Sequence, residues 1–280
     1  MDKYKFLKFV FVVRKSYSSQ LLMMAFLFCI STKLILAKEP YEYLTEFCRI
    51  GERVPGTIGH KQARNFIANN LKNPEIDSFF TRGTWYYNIY KKYPGKSKRI
   101  GIAAHWDSDI GCPGANDGGS GVALLLSLAD TLQLNPPEMA VDIIFFDGED
   151  VGKAELLGSK HFAAKCVNNY AFILVLDMVG DKDLQIYKEG NSAKFFPELV
   201  DSIWEIGMEI EPSVFIPVIK YYIIDDHISF IKYGIRAINI IDFDYPYWDS
   251  KDDTIDKCSK ESLNTMYKFM LKIIYPKYIY

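Results

Sequence analysis

The sequence predicts a single α/β domain with a central, mostly parallel twisted sheet and helices on both faces. The chain of 280 residues is 49% apolar, which is enough for one large core. Short apolar runs alternate with segments of helical periodicity, and strands separated by helices favour parallel pairing. The length does not require a second domain.

The predicted elements alternate along the chain from residue 100 onward. The predicted strands span residues 100–105, 141–146, 171–177, 214–217 and 235–241. The predicted helices span residues 118–132, 159–167, 195–208, 227–233 and 260–274. The strands are short apolar runs such as V-D-I-I-F-F, which are typical of strands buried on both faces, whereas the helices repeat their apolar residues every three or four positions.

The first 38 residues differ from the rest. Basic residues between Lys3 and Lys15 precede an apolar run at residues 21–30, which is the order found in a secretory signal. We therefore predict a signal peptide or N-terminal anchor at residues 1–38 and a globular domain at residues 39–280. A secreted, periplasmic or membrane-anchored extracytoplasmic location follows, with a membrane tether through this segment as one form of it.

Charge and cysteine usage exclude some classes of protein. The net charge of -2 gives no basic face for nucleic acid, so we expect no nucleic-acid partner. The cysteines show no C-x-x-C spacing and so predict no zinc knuckle. Whether they pair as disulfides or stay as buried thiols is left open by the sequence.

Polar residues stand at the points where predicted strands end. They are His105, Asp107, Asp147, Glu149, Asp150, Asp177, Asp242 and Asp244. Ligands of open α/β sheets bind outside the carboxyl ends of the strands, so we expect these side chains to converge. Carboxylates crowded around an imidazole repel one another unless a cation lies among them. Zinc fits this mixture best, although an all-oxygen subset would also accept manganese or magnesium.

The motifs form an ordered series from about residue 52 to the C-terminus. The series includes R-V-P-G-T at 53–57, H-W-D at 105–107, N-D-G-G-S-G at 116–121, F-F-D-G-E-D at 145–150, L-D-M-V-G at 176–180, D-D-H at 225–227 and Y-P-Y-W at 245–248. This series resembles the superfamily that joins zinc aminopeptidases to glutaminyl-peptide cyclotransferases. The resemblance implies that residues 39–280 form a zinc-dependent catalytic domain that acts on peptide or protein N-termini, and we expect it to be a monomer.

The resemblance also implies roles for residues near the strand ends. Asp117 would be the central metal ligand and Asp150 a second ligand, with Glu149 as the general acid and base. His105 and Asp177 correspond to ligands of a second zinc in the aminopeptidase branch, whereas the cyclotransferase branch works with one. Asp107 would orient the ring of His105 without touching the metal.

One motif departs from the family pattern. The family places a metal-binding histidine directly after the tryptophan, but Asp249 follows Trp248 here. We expect Asp249 to serve as a ligand, with reduced activity or a preference for a harder metal ion. A catalytically inactive relative is the alternative. The next residues, Lys251 to Asp253, are interpreted as a solvated turn.

The choice between the two branches depends on the finer motifs. D-D-H at 225–227 and L-G-S-K-H-F-A-A-K at 157–165 resemble the cyclotransferases, which favours conversion of N-terminal glutamine to pyroglutamate. In that reaction Asp225 would hold the amide nitrogen, while Trp248 and His227 would contact the substrate. The alternative is an aminopeptidase with two zinc ions, in which Glu149 activates water.

Overall fold

In the computed structural model of the protein, residues 37–152, 155–166 and 170–276 are described. The helices are α1 (Pro40–Phe47), α2 (Ile58–Leu71), α3 (Gly119–Leu134), α4 (Leu157–Ala163), α5 (Gly190–Phe195), α6 (Pro197–Ile210), α7 (His227–Ile231) and α8 (Lys260–Ile274). The strands are β1 (Glu75–Thr81), β2 (Thr84–Tyr93), β3 (Ser97–His105), β4 (Met139–Phe146), β5 (Phe172–Asp177), β6 (Ile186–Glu189), β7 (Phe215–Tyr221) and β8 (Ala237–Ile241).

The predicted leader lies outside the described residues apart from its last two positions. Among the described residues, no helix combines the length and the apolar character needed to cross a bilayer.

The main sheet has the strand order β1-β2-β4-β3-β5-β8. Strands β4, β3, β5 and β8 pair in parallel, whereas β1 and β2 add an antiparallel hairpin at one edge. The predicted α/β fold with a mostly parallel sheet is therefore confirmed. The hairpin was not predicted, because its turn at Arg82 and Gly83 lacks the usual Asn-Gly signal although both residues have positive φ.

Helices cover both faces of this sheet. Adjacent residues of a strand point to opposite faces, and they meet different helices here. At Ala104 the sheet meets α3, where a Cβ at Gly121 would lie 2.6 Å from the Cβ of Ala104. Ala103 packs instead in a core cluster with Phe162 of α4 and Phe230 of α7.

Two of the observed elements differ from the predicted ones. The helix predicted at 195–208 is α6, which begins at Pro197 because proline fits the first position of a helix, and the short helix α5 before it was not predicted. Strand β6, which was not predicted, pairs in parallel with β7 in a small second sheet. The last helix, α8, has the predicted bounds.

The order of the parallel strands determines where the polar residues meet. Strand β3 lies between β4 and β5, and His105 at its carboxyl end is in register with Phe146 of β4. Asp177 ends the neighbouring strand β5. The carboxyl ends of these three strands consequently lie side by side.

A buried arginine ties the N-terminal part of the chain to this edge. Arg53 is fully buried, and its Nε donates to the carbonyl of Trp106 at 2.7 Å. Its two Nη atoms donate to the carbonyls of Pro113, Gly114 and Asp117. These carbonyls belong to the loops that carry polar residues away from β3, so Arg53 fixes the path of those loops.

Replacement of Arg53 by methionine should destabilise the fold. Each carbonyl left buried and unpaired costs about 1–3 kcal/mol, so we expect the free energy of unfolding to fall by about 3–5 kcal/mol. Urea unfolding followed by circular dichroism measures this difference. The matched control is Arg49→Met at an exposed position, which should change the free energy by less than about 0.5 kcal/mol. Equal effects of the two substitutions would contradict this prediction.

Candidate metal centre

His105 lies at the centre of a cluster of carboxylates. Its Nε2 is 3.0 Å from Oδ1 of Asp117 and 3.2 Å from Oδ1 of Asp177. All three side chains are buried. Separations of this size are expected of ligand atoms that share one ion at about 2.0–2.2 Å. His105, Asp117 and Asp177 can therefore hold one divalent cation.

A second group shares Asp117 with the first. Asp117, Asp150 and Asp249 each place a carboxylate oxygen so that all of these atoms lie within 4.8 Å of one another. Asp249 reaches this position from the exposed rim with φ at 52°, in the left-handed region that aspartate enters more easily than most residues. His105, Glu149 and Asp150 form a third group by the same measure.

The electrostatics of the cluster favour a cation. Burial raises the pKa of Asp177 to about 7, and the charge of Asp117 adds to the rise. Burial and then Asp117 also raise the pKa of Asp249 to about 6 and that of Asp150 well above its ordinary value. The Nδ1 atom of His105 is buried without a hydrogen-bond partner. A divalent ion fits this donor set because it offsets the repulsion among the carboxylates.

Asp107 supports the cluster through the backbone. Its two carboxylate oxygens accept the N–H groups of Glu149 at 3.2 Å and Asp150 at 3.0 Å. Its Oδ1 is 3.7 Å from Nδ1 of His105, the distance of an ion pair and not of a hydrogen bond. The predicted effect of Asp107 on His105 is thus electrostatic, and its hold on the loop after β4 was not predicted.

The turn that carries Asp117 is held by a residue that was predicted to lie in a solvated turn. Asp253 is fully buried, and its carboxylate accepts the N–H groups of Asn116 at 2.9 Å and Asp117 at 3.0 Å. Interpreting Asp253 as part of a solvated turn was wrong, because no local pattern shows that these backbone donors need an acceptor. Gly118 is required next to Asp117, since a Cβ there would lie 2.9 Å from His105 Cε1.

Asp225 is a further acid, which interacts electrostatically with Glu149 of the third group. Burial raises the pKa of Glu149 well above its ordinary value, with Asp150 and then Asp225 adding to the rise, so Asp225 is within electrostatic reach of Glu149. Asp225 is buried, and its Oδ2 accepts a hydrogen bond of 2.7 Å from Nδ2 of Asn239. Asn239 was not singled out, although a polar residue inside the apolar strand A-I-N-I-I is a signal that could have identified it.

The two predicted substrate contacts have different surroundings. Trp248 is 43% exposed at the rim next to Asp249, and its ring centroid is 5.6 Å from that of Phe243. His227 is fully buried, with Nε2 3.1 Å from Oε2 of Glu189. The substrate contact of His227 stays a prediction: its ring faces a buried carboxylate, and neither ring nitrogen has a hydrogen-bond partner among the described residues.

Three other acids at strand ends do not join the cluster, contrary to the expected convergence. Asp147 accepts a hydrogen bond of 2.9 Å from His60, and Asp242 accepts backbone N–H groups of nearby loops. Asp244 pairs with Lys220 at 2.6 Å on the surface. A strand end fixes the position of a residue at the sheet edge but not the direction of its side chain.

Several known proteins are similar to this chain. It is 24% identical over 277 residues to the glutaminyl-peptide cyclotransferase of Bos taurus, covering 78% of this chain and 76% of the relative. Over 180 residues it is 29% identical to aminopeptidase YwaD of Bacillus subtilis, covering 58% of this chain and 37% of that protein.

Solved structures show the same two kinds of enzyme. A Zn-dependent exopeptidase from Parabacteroides distasonis superposes with a TM-score of 0.79 at 30% identity, covering 86% of this chain and 98% of that one. A glutaminyl cyclase from Bacteroides thetaiotaomicron bound to N-acetylhistamine gives 0.78 at 30% identity with the same coverage. The profile of peptidase family M28 matches residues 88–274. The chain therefore belongs to peptidase family M28, within the superfamily that joins zinc aminopeptidases to glutaminyl-peptide cyclotransferases.

Proposed function

We propose that the chain is a zinc-dependent enzyme that converts the N-terminal glutamine of peptides or proteins to pyroglutamate with release of ammonia. The observation that carries this proposal is Asp225, a buried carboxylate within electrostatic reach of Glu149 that belongs to none of the metal-binding groups among the described residues. Hydrolysis needs one base to activate water, whereas cyclisation needs a base for the attacking amine and a hydrogen-bond acceptor for the amide nitrogen. Asp225 supplies the second acceptor that cyclisation uses.

Glu149, Asp225 and Trp248 have different roles in the proposed reaction. Glu149 takes a proton from the α-amine as the amine nitrogen attacks the γ-amide carbonyl carbon. The new C–N bond closes the ring, the bond from that carbon to the amide nitrogen breaks, and Glu149 passes the proton to the departing ammonia. Asp225 accepts a hydrogen bond from the amide nitrogen and orients it, while Trp248 flanks the substrate at the rim.

A cation held by Asp117, Asp150 and Asp249 would polarise the γ-amide carbonyl as a Lewis acid. Asp107 and Asp253 support this role, because they hold the backbone of the residues that carry the ligands. Asp249 in place of histidine makes this group all-oxygen, which lowers its preference for zinc relative to harder ions.

An aminopeptidase is the second candidate. It is favoured by the two groups that share Asp117, since His105 and Asp177 complete a site for a second ion. Two ions that share a carboxylate suit the activation of water, with Glu149 as its base. The two candidates differ in product, because a cyclase releases ammonia and a peptidase releases free amino acids.

Glutaminyl peptides should yield ammonia and pyroglutamyl peptide in equal amounts. Coupled detection of ammonia and mass spectrometry of the peptide measure the two products, and aminoacyl peptides should remain uncleaved. Glu149→Gln should lower kcat by about 100-fold or more, because the amide cannot carry the proton. Glu155→Gln is the matched control, since Glu155 lies in the same loop region and pairs with Arg82 on the surface. Free amino acids without ammonia would overturn the cyclase assignment in favour of the peptidase.

Asp249→His should strengthen zinc binding and raise the turnover of the zinc enzyme. Imidazole is a preferred zinc ligand, and its neutral charge leaves the ion a stronger Lewis acid than a third carboxylate does. Metal content after dialysis against limiting zinc, measured by elemental analysis, gives the first effect, and ammonia release gives the second. Asp252→His, at an exposed position nearby, is the control. Unchanged zinc content in Asp249→His would show that Asp249 does not ligate the ion.

The stabilising effect of zinc should depend on pH. Asp177 and Asp249 have pKa values of about 7 and about 6 without a metal. The metal-free folded state thus binds protons more tightly than the unfolded chain, so the contribution of these groups to stability falls as pH rises from about 4 to about 7. Zinc requires the deprotonated groups and offsets that loss.

We therefore expect zinc to raise Tm more at about pH 7.5 than at about pH 5.5. Thermal unfolding with and without zinc after chelation measures the two shifts. A shift of the same size at both pH values, or no shift at either, would contradict a metal site built from these acids.

A further inference from the structure

Glu189 is a buried acid for which the reaction has no direct use. It ends strand β6 and is 1% exposed. Burying a carboxylate is costly unless hydrogen bonds or opposite charges compensate for lost hydration. The contacts of Glu189 provide that compensation, and they join the start of α5 to the chain on either side of Asp225.

The carboxylate of Glu189 accepts hydrogen bonds from two segments of the chain. At the start of α5, Asn191 N donates to Oε1 at 2.8 Å, and Ser192 donates to Oε2 through both N and Oγ at 2.7 Å. From the loop that carries Asp225, Ile223 N donates to Oε1 at 3.0 Å. Glu189 thus joins the N-terminus of a helix to the loop two residues before Asp225.

The same carboxylate also contacts the chain two residues after Asp225. His227 Nε2 lies 3.1 Å from Glu189 Oε2, and both side chains are fully buried. Burial alone would raise the pKa of Glu189, but the contact with His227 and the N–H donors of Ile223 and Asn191 outweigh burial and lower the pKa to about 2. Glu189 is consequently an anion at neutral pH.

Neighbours of Glu189 complete the hold on the loop. Asn191 Nδ2 donates to the carbonyl of Ile223 at 2.9 Å, so both polar atoms of the Ile223 backbone are held from this side. Ser192 Oγ, which donates to Glu189, accepts from Asn239 N at 3.1 Å. The side chain of Asn239 then donates to Asp225 Oδ2 at 2.7 Å.

We propose that Glu189 is the positioning residue of Asp225: it fixes the loop on both sides of that residue and, through Ser192 and Asn239, the orientation of its carboxylate. This inference rests on the proposed function, in which Asp225 orients the amide nitrogen. Loops of this kind lose catalytic power when a reacting group shifts by about 1 Å, at a cost of up to about 100-fold in rate. One buried carboxylate can hold several segments of the chain, because its two oxygens accept hydrogen bonds from several donors at the same time.

Glu189→Gln tests this role with little change in shape. The glutamine amide offers one acceptor oxygen where the carboxylate offers two. Its NH2 group would take the place of the second oxygen and could not accept from the N–H groups there. We expect kcat for glutaminyl peptides to fall by about 10–100-fold with KM changed by less than about threefold and zinc content unchanged. The matched control is Glu211→Gln, because Glu211 also accepts from a nearby serine, Ser213, through N and Oγ but lies on the surface away from Asp225.

Coupling to Asp225 distinguishes positioning from a general loss of stability. If Glu189 acts through Asp225, then Glu189→Gln should lower kcat by less than about twofold in the Asp225→Asn variant, because the group that Glu189 positions is already disabled there. An equal relative decrease of kcat in the wild type and in the Asp225→Asn variant would overturn the proposal. Should Glu189→Gln fail to fold, Ser192→Ala provides the cycle, since it removes the hydroxyl through which Glu189 is linked to Asn239 and Asp225.

Hydrogen exchange tests the clamp without reference to activity. The amide of Ile223 should exchange at least about tenfold faster in Glu189→Gln than in the wild type, whereas Glu211→Gln should leave it unchanged. If the wild type turns over no glutaminyl peptide, the proposed function fails while the exchange result still decides whether Glu189 holds the loop. Unchanged exchange at Ile223 together with unchanged kcat would overturn the proposal.

Discussion

Repulsion among carboxylates around one imidazole is the constraint on which the site depends. Asp117 and Asp177 lie within 3.2 Å of His105 Nε2, and Asp150 and Asp249 extend the negative charge toward the rim. Burial and this repulsion raise the pKa values of Asp150, Asp177 and Asp249, and a bound cation would offset both effects. A cation at this place would therefore stabilise the fold as well as supply the chemistry of the proposed function.

The loops that carry the site residues are held in one recurring way. A buried carboxylate that is not a metal ligand accepts backbone N–H groups from each of these loops, which keeps the backbone in place without adding a competing side chain to the centre. The holding residues are Asp107 for Glu149 and Asp150, Asp253 for Asn116 and Asp117, and Glu189 for Ile223 on the Asp225 loop. Arg53 complements them by donating to carbonyls of the loops after β3.

Asp249 gives this chain a site that differs from the family pattern. The residue keeps its place beside Asp117 and Asp150, at the cost of a left-handed backbone conformation that aspartate tolerates. A carboxylate there adds negative charge to a group that already holds two acids. Under the proposed function, this substitution shifts the metal preference of the group of Asp117, Asp150 and Asp249 toward harder ions.

Much of this protein could be predicted from local sequence. Apolar runs that end in acids or histidine identified the parallel sheet and the meeting of His105, Asp150 and Asp177, because strand ends in a parallel sheet meet at one edge, whereas Asp117 was identified by the resemblance to the superfamily. The hairpin of β1 and β2 was missed because its turn lacks the usual residues. The motif order identified the superfamily, which the match to peptidase family M28 confirms.

Only the tertiary structure decided which acids meet and which hold the others in place. Asp242 and Asp244 stand at a strand end as Asp177 does, yet they bond elsewhere, since side-chain direction depends on donors supplied by distant segments. Asp253 and Glu189 are ordinary surface residues by local pattern. Their partners lie 137 and 34 positions away in the chain, and such contacts leave no periodic signal in the sequence because they arise from the folded path of the backbone.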